Sequence, residues 1–303
     1  YMLLKVSQPH KVGTVIYQLG KHSVRTENGH IIVPDRKHAD AICGYMGVTA
    51  NPPNKEVMQP AVRRGRLSEA EQELVDPERA GIYQKVVGQA LYLSLEDEKI
   101  AHTLGTLTKH LKAPREADWL DAKHLAKFLH FNTSKGQLLE VNRRKPFGES
   151  KLVSDASWAD GEEDYRSCSG RRLNVNDYRV GYGTGIQPGL PALSSGESEL
   201  RAMSQGSCEL LFVIHILRWM SIEMGVKVEA IVENDASAAL ANARKLGPGR
   251  MRHVETQALF LKGLVRNGTV RLEKNTSQDN TADLHTKKLP AARSLELSKM
   301  IGV

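Results

Sequence analysis

The spacing of apolar residues changes character near residue 150, and that change limits more than anything else what the chain can become. Before it, apolar positions recur at Ile82, Val86, Ala90 and Leu93, at Ile100, Leu104, Leu107 and Leu111, and after Pro114 at Trp119, Ala122, Ala126 and Leu129. Steps of three and four put such residues on one helical face, so three amphipathic helices are predicted to pack together. Ser68 and Glu71 have capping-box spacing ahead of them, and the helical pattern restarts after Pro77. Short strands are expected at 15–19 and 31–33, a helix opened by Asp35, a break at 51–54, and an end to the bundle at Gly136. The apolar stripe reads as core, and no chemistry is placed on it.

After residue 150 the pattern is that of strands. Candidates at 151–154, 172–180 and 185–193 are separated by the glycine-rich CSGRR and GYGTG. A long helix at 199–224, a strand at 228–232, helices at 236–244 and 253–265, a strand at 270–273 and a last helix near Asn280 follow. Three antiparallel strands followed by alternating helices and strands predict an α/β fold, a mixed five-stranded sheet covered by helices. Pro188 and Pro191, with glycines nearby, leave the third strand frayed or confined to an edge. Two domains are therefore expected, a mainly helical one at 1–145 and an α/β one at 151–303, joined through RRKPFGES at 143–150.

Charge and cysteines narrow the function. The net charge is +7, and residues 1–150 hold 22 Lys+Arg against 17 Asp+Glu while residues 151–303 hold 20 against 18. A polyanionic partner fits this balance, gripped mainly by the first half. The longest apolar run, CELLFVIHILRWM at 208–220, is too short to span a membrane and is broken by Glu209, His215 and Arg218, so it reads as a buried helix and no membrane partner is expected. Cys43, Cys168 and Cys208 lack CxxC spacing, which favours a reducing compartment without structural zinc over secretion. A start at Tyr1 reads as a segment of something longer.

The stretch KLVSDASWAD sets Asp155 at the end of a short apolar strand. Taken alone, such an Asp could simply open a turn. Asp235 lies just past the fourth expected strand, Glu199 on the long helix and Asp283 on the last helix. Strand ends and flanking helices of an open sheet can gather such groups in one crevice. Converging carboxylates raise one another's pKa unless cations neutralise them, and a pair of hard divalent ions suits oxygen ligands and phosphodiester hydrolysis.

The segments VSDASWAD, RSCSG, ALSSGESELRAM, VENDASAAL, MRHVE and TADLHTKKLP, in this order, resemble the ribonuclease H (RNase H) domain of copia-type retrotransposon Pol polyproteins. IYQKVVGQALYLSL, IAHTLGTL and APREADWLDAKHLAKFL resemble the end of that family's reverse transcriptase, its thumb and connection region, and GKHSVRTENGHIIVP is similar more loosely. The resemblance implies an RNase H-like sheet preceded by a smaller thumb/connection domain. It also implies Asp155, Glu199, Asp235 and Asp283 as catalytic, metal-binding carboxylates for two ions of Mg²⁺ or Mn²⁺. The implied reaction is hydrolysis of the RNA strand of RNA/DNA hybrids. The implied partners are the hybrid and the polymerase palm and fingers of the same polyprotein, in a cytoplasmic virus-like particle or the nucleus.

SSGESEL offers Glu197 beside Glu199; Glu199 is preferred because ELRAM then sets Ala202 and Met203 toward the core, leaving Glu197 as a helix-start acid favoured by the dipole. Arg244, Lys245, Arg250, Arg252 and His253 in RKLGPGRMRH fall where the family has a basic segment; they are expected to touch phosphate, or else to be a solvated helix start. Tyr-x-Asp-Asp, the family's polymerase motif, does not occur, so no polymerase site is expected in these residues. TQALFLKG, which lacks the second histidine usual in relatives, and GYGTGIQPGL, in place of their Trp-Ser strand end, also depart from the pattern. Two other readings stay open: a catalytically silent nucleic-acid-binding remnant of the same fold, and an integrase-type strand transferase. Against the transferase stand the lack of a His/Cys zinc module before the acids and the presence of Asp283.

Overall fold

The computed structural model describes residues 11–18, 21–48, 59–61, 67–132, 135–145, 147–161, 164–224, 227–245 and 256–303. The first half opens with strands β1 (Val15–Gln18), β2 (Lys21–Arg25) and β3 (Gly29–Val33). Helix α1 (Arg36–Tyr45) follows, and the Asp35 side chain caps it by accepting from the Lys37 amide. Helix α2 (Glu69–Gln72) carries the capping box of Ser68 and Glu71, and α3 (Pro77–Leu93) has Pro77 in its first turn, where no amide donor is needed. A 3-10 turn (Glu98–Ile100) leads into α4 (Ala101–Lys109), and α5 (Glu116–Asn132) completes the bundle. Tyr83, Val86, Ala90, Ile100, Leu104, Leu107, Ala122, Ala126 and Leu129 share one buried cluster with Ile42 of α1. The chain then returns as β4 (Gln137–Glu140), which pairs with β3 and makes a four-stranded antiparallel sheet in the order β1-β2-β3-β4. Strands β2 and β4 are not expected from the sequence, because neither carries a long apolar alternation.

The second half contains β5 (Glu149–Ser157), β6 (Cys168–Val175), β7 (Tyr178–Ile186), α6 (Ser195–Met224), β8 (Glu229–Asn234), α7 (Ser237–Arg244), α8 (Thr256–Arg266) and β9 (Arg271–Lys274). A 3-10 segment (Thr281–His285) and α9 (Ala291–Met300) end it. The sheet is mixed and five-stranded, in the order β7-β6-β5-β8-β9: β5, β6 and β7 pair antiparallel, while β8 runs parallel to β5 and β9 to β8. No helix among the described residues is long and apolar enough to cross a membrane.

Three boundaries differ from the sequence reading. The expected strands at 172–180 and 185–193 are instead a hairpin that turns at Asn176 and Asp177, with Val175 opposite Tyr178 and φ of 50° and 67° at the two turn residues. Asn and Asp tolerate that left-handed conformation, which matches the twist of a two-residue hairpin. Pro188 and Pro191 thus fall after β7, where no ladder bond is needed from them. The expected linker ends early, because Glu149 and Ser150 already pair with Glu229 and Ala230 in β5. The last expected helix is one 3-10 segment, and α9 lies beyond it.

Helix α6 lies close against β5 because Gly206 has no side chain. A Cβ there would sit 2.8 Å from both methyl carbons of Leu152, which is fully buried. Leu152, Leu200, Met203, Leu210, Val232 and Leu272 form a core separate from the bundle's. Overpacking here cannot be relieved by moving Leu152 to solvent, so Gly206→Val is expected to cost about 1–3 kcal/mol of stability. A lowered urea midpoint at unchanged slope is the check; a midpoint equal to wild type would show that α6 is free to move off the sheet.

Candidate active site

The parallel pairing of β5 with β8 places the first two acids. Their register runs from Glu149 opposite Glu229 to Val153 opposite Glu233. Extending that register by two residues brings Asp155, within β5, level with Asp235, the residue that follows β8. Glu199 joins them from the first turns of α6. One oxygen each of Asp155, Glu199 and Asp235 lie within 4.8 Å of one another. Asp155 and Glu199 are buried, and Asp235 is half-buried. Glu197 faces elsewhere: its carboxylate accepts from the Leu193 amide and from Arg201 Nη2 at 2.7 Å.

Asp283 lies beside this group. Lys287 links it to Asp155, with Nζ 2.5 Å from Asp283 Oδ1 and 3.1 Å from Asp155 Oδ2, and Arg293 Nη2 is 3.4 Å from Asp283 Oδ2. Each clustered acid is held by a polar neighbour that the sequence reading does not single out. Asn234 Nδ2 donates to Glu199 Oε2 at 2.8 Å and to the Ser154 carbonyl at 3.0 Å. Ser277 Oγ donates to Asp235 Oδ2 at 2.8 Å. Asn280 Nδ2 donates to Asp155 Oδ1 at 3.2 Å, and the Thr286 hydroxyl donates to Asp155 Oδ2. Thr286 can reach because Gly170 stands opposite Asp155 on β6, where a Cβ would lie 2.5 Å from Thr286 Cγ2 and 2.9 Å from the Ala282 carbonyl. A glycine in a strand where another backbone comes close would have been the sequence signal.

Electrostatics test whether these residues fit a cation. Burial, then the Asp155 charge, push Glu199 up to about 8, and burial raises Asp155 against the pull of Lys287. Burial works against the Lys287 ammonium, yet Asp155 and Asp283 hold it well above the usual lysine range. Three oxygen-only donors sharing more negative charge than the site neutralises match the needs of a hard divalent ion. Asp155, Glu199 and Asp235 would hold it.

Two of the basic residues predicted from the sequence are described. Arg244 Nη2 donates to the Leu272 carbonyl at 3.0 Å, which anchors α7 to β9, and Lys245 is exposed at the end of α7. Arg250, Arg252 and His253 lie outside the described residues. A cleft of about 960 Å³ opens instead between α4 and the β7 edge, lined among others by Lys109, His110, Arg166, Thr184, Lys287 and Lys288. His102, in its wall, is pushed down to about 3 by burial and by Lys288 and Lys109. Through Lys287 the cleft reaches the carboxylates. These basic residues come from three separate stretches, the adjacent pairs Lys109-His110 and Lys287-Lys288 and the single Arg166, so no one run of the sequence marks the cleft.

No protein-family model matches the chain. It is 24% identical over 288 residues to the retrovirus-related Pol polyprotein from transposon RE2 of Arabidopsis thaliana, covering 95% of this chain and 19% of that protein. The chain thus spans about a fifth of the length of this curated relative. Over 134 residues it is 31% identical to secreted RxLR effector protein 161 of Plasmopara viticola, covering 43% of this chain and 90% of that one. Among solved structures, the N-terminal RNase H domain of a Mycobacterium tuberculosis protein is similar over 50% of this chain and 96% of its own, at 10% identity and a TM-score of 0.33.

The raised Glu199 has a consequence in solution. Folded, metal-free protein keeps a proton on Glu199 that the unfolded chain releases near pH 4.5, so the stability Glu199 contributes, read as the difference from Glu199→Gln, should fall as pH rises from about 4.5 to about 8. A divalent ion must displace that proton, so Mn²⁺ affinity should climb with pH and level off above about 8, with proton release. Calorimetric titration in buffers of different ionisation enthalpy measures this. Binding without proton release below pH 8 would contradict the placement of Glu199.

Proposed function

We propose that this chain, which belongs to the retrovirus-related Pol polyproteins of transposons, carries in residues 151–303 an RNase H of the copia type. It hydrolyses the RNA strand of RNA/DNA hybrids, and residues 1–145, the end of a reverse transcriptase, help to hold the duplex. One observation carries the reading: three carboxylates converge at the strand ends of an RNase H-like sheet, beside a basic cleft that both halves line.

Asp155, Glu199 and Asp235 would hold divalent Mg²⁺ or Mn²⁺, with Asp283 next to them for a second ion. When bound, such ions supply activation of an attacking water and neutralisation of the leaving oxygen. The chain's own residues set the geometry. Asn234 orients Glu199, Ser277 orients Asp235, and Asn280 with Thr286 orients Asp155, so each carboxylate is held in one orientation. Lys287 balances charge between Asp155 and Asp283. Lys109 and Lys288 face the cleft where backbone phosphates would run, an arrangement that positions a duplex without reading its sequence.

The test is cleavage of a labelled RNA/DNA hybrid beside the same RNA single-stranded and duplexed with RNA, with Mg²⁺ or EDTA. Cleavage of the hybrid alone, abolished by EDTA, is expected. Asp155→Asn should lower the rate by more than the ~10–100-fold that loss of an outer partner costs, at little loss of hybrid affinity. Lys109→Ala or Lys288→Ala should instead weaken binding and reduce its salt slope by about one unit for each phosphate no longer neutralised. Hybrid binding without any cleavage would leave a silent binding remnant as the correct reading. An unchanged salt slope in both lysine variants would remove the cleft from the binding path.

A further inference from the structure

Glu98 belongs to the helical half, yet the other half takes up its carboxylate. The side chain is fully buried at the start of the 3-10 turn. Arg172 Nε of β6 donates to Oε2 at 3.1 Å, Arg179 Nη1 of β7 lies 3.5 Å from Oε1, and His285 Nε2 lies 3.4 Å from Oε2. From β4, Gln137 Nε2 donates to Oε1 at 2.6 Å and also to the Ile301 carbonyl at 2.8 Å. A buried carboxylate is costly unless it is paired and hydrogen-bonded, and here burial is outweighed by Arg172, His285 and Arg179, which hold Glu98 far below the usual glutamate range.

His285 ends the segment that carries Asp283, and the next two residues, Thr286 and Lys287, both reach Asp155. Its imidazole turns Nε2 toward Glu98, and the ring of Tyr182 stacks on its face with centroids 5.5 Å apart and planes at 16°. Its carbonyl accepts from Thr184 Oγ1 at 2.6 Å. Tyr182 is tied in turn to the helical half, where its hydroxyl donates to the Ser94 carbonyl. The segment at 281–287 is therefore held on one side by β6 at Gly170 and on the other by interactions that originate at residues 94 and 98.

We propose that Glu98 is a positioning residue for the nuclease centre: through His285 it fixes the 281–287 segment, and so sets where Thr286, Lys287 and Asp283 stand relative to Asp155. This rests on the nuclease reading above. It makes the helical half part of the site's rigidity as well as a grip on the substrate. A buried ion pair that only joins two halves would lower stability when cut but leave the carboxylate geometry alone.

The experiment compares the full chain with Glu98→Gln and, as a control for reduced stability, Val86→Ala in the bundle core. Three readouts are taken: hybrid cleavage as separate kcat and KM, Mn²⁺ affinity from the free-ion paramagnetic resonance signal, and amide hydrogen exchange over residues 281–287. Glu98→Gln should lower kcat by about tenfold or more with hybrid KM within about twofold, weaken Mn²⁺ binding, and speed exchange at 281–287. Val86→Ala should move none of these. If Glu98→Gln does not fold, Gln137→Leu, which removes a donor to Glu98 without changing charge, is read the same way. Wild-type values in all three readouts, or changes that Val86→Ala reproduces, would overturn the proposal. A wild-type chain that cleaves no hybrid while exchange at 281–287 still responds to Glu98→Gln would sink the nuclease reading and leave the coupling standing.

Discussion

Asp155 and Asp235 stand side by side because β5 and β8 run parallel in a register that sets Asp155 level with the residue just past the end of β8. Once that pairing exists, repulsion between their charges is unavoidable, and Glu199 adds a third carboxylate within 4.8 Å. Unit charges about 4 Å apart repel by several kcal/mol at the effective dielectric of a partly screened site. Much of the second half answers that repulsion. Glu199 keeps a proton up to about pH 8, Lys287 bridges Asp155 and Asp283, and the amides and hydroxyls of Asn234, Asn280, Thr286 and Ser277 bind the carboxylate oxygens.

Close backbone approach makes this possible at two glycines. Gly206 lets α6 settle on Leu152, which brings the first turns of α6, and with them Glu199, to the strand ends. Gly170 lets the 281–287 segment settle on β6, which brings Thr286 to Asp155. From the other side, Glu98 and Ser94 of the helical half hold His285 and Tyr182. The site thus sits where three packing surfaces meet, and the basic cleft runs along the junction of the two halves.

Much of this was legible in the sequence. The change of apolar period separates helices from strands, and Asp35, Ser68 with Glu71, and Pro77 mark helix starts that the structure contains. The mixed five-stranded sheet followed from three strands and then alternating elements. What could not be read depends on long-range pairing. Strand β4 forms only by pairing with β3, more than 100 residues earlier, while β2, which pairs locally with β1 and β3, has no apolar alternation to mark it, and the Asn176-Asp177 turn hides inside a run of strand-forming residues. Glu98 sits in the run LEDE, which reads as solvated surface, and only tertiary structure supplies the arginines that bury it. Lys287 and Asn234 are ordinary polar residues until the fold sets them against carboxylates. The register that levels Asp155 with Asp235 is a property of the sheet and of neither strand alone.

Convergence of the carboxylates gives metal binding a direct physical signature. A thermal melt of wild type and Asp155→Asn with increasing Mg²⁺ or Mn²⁺ at matched ionic strength tests it most directly, because ions that bind only the folded state raise the midpoint with concentration while monovalent salt merely screens. The wild-type midpoint should rise with metal, and Asp155→Asn should largely lose that rise. A wild-type shift that survives the substitution unchanged, or no shift at all, would contradict it.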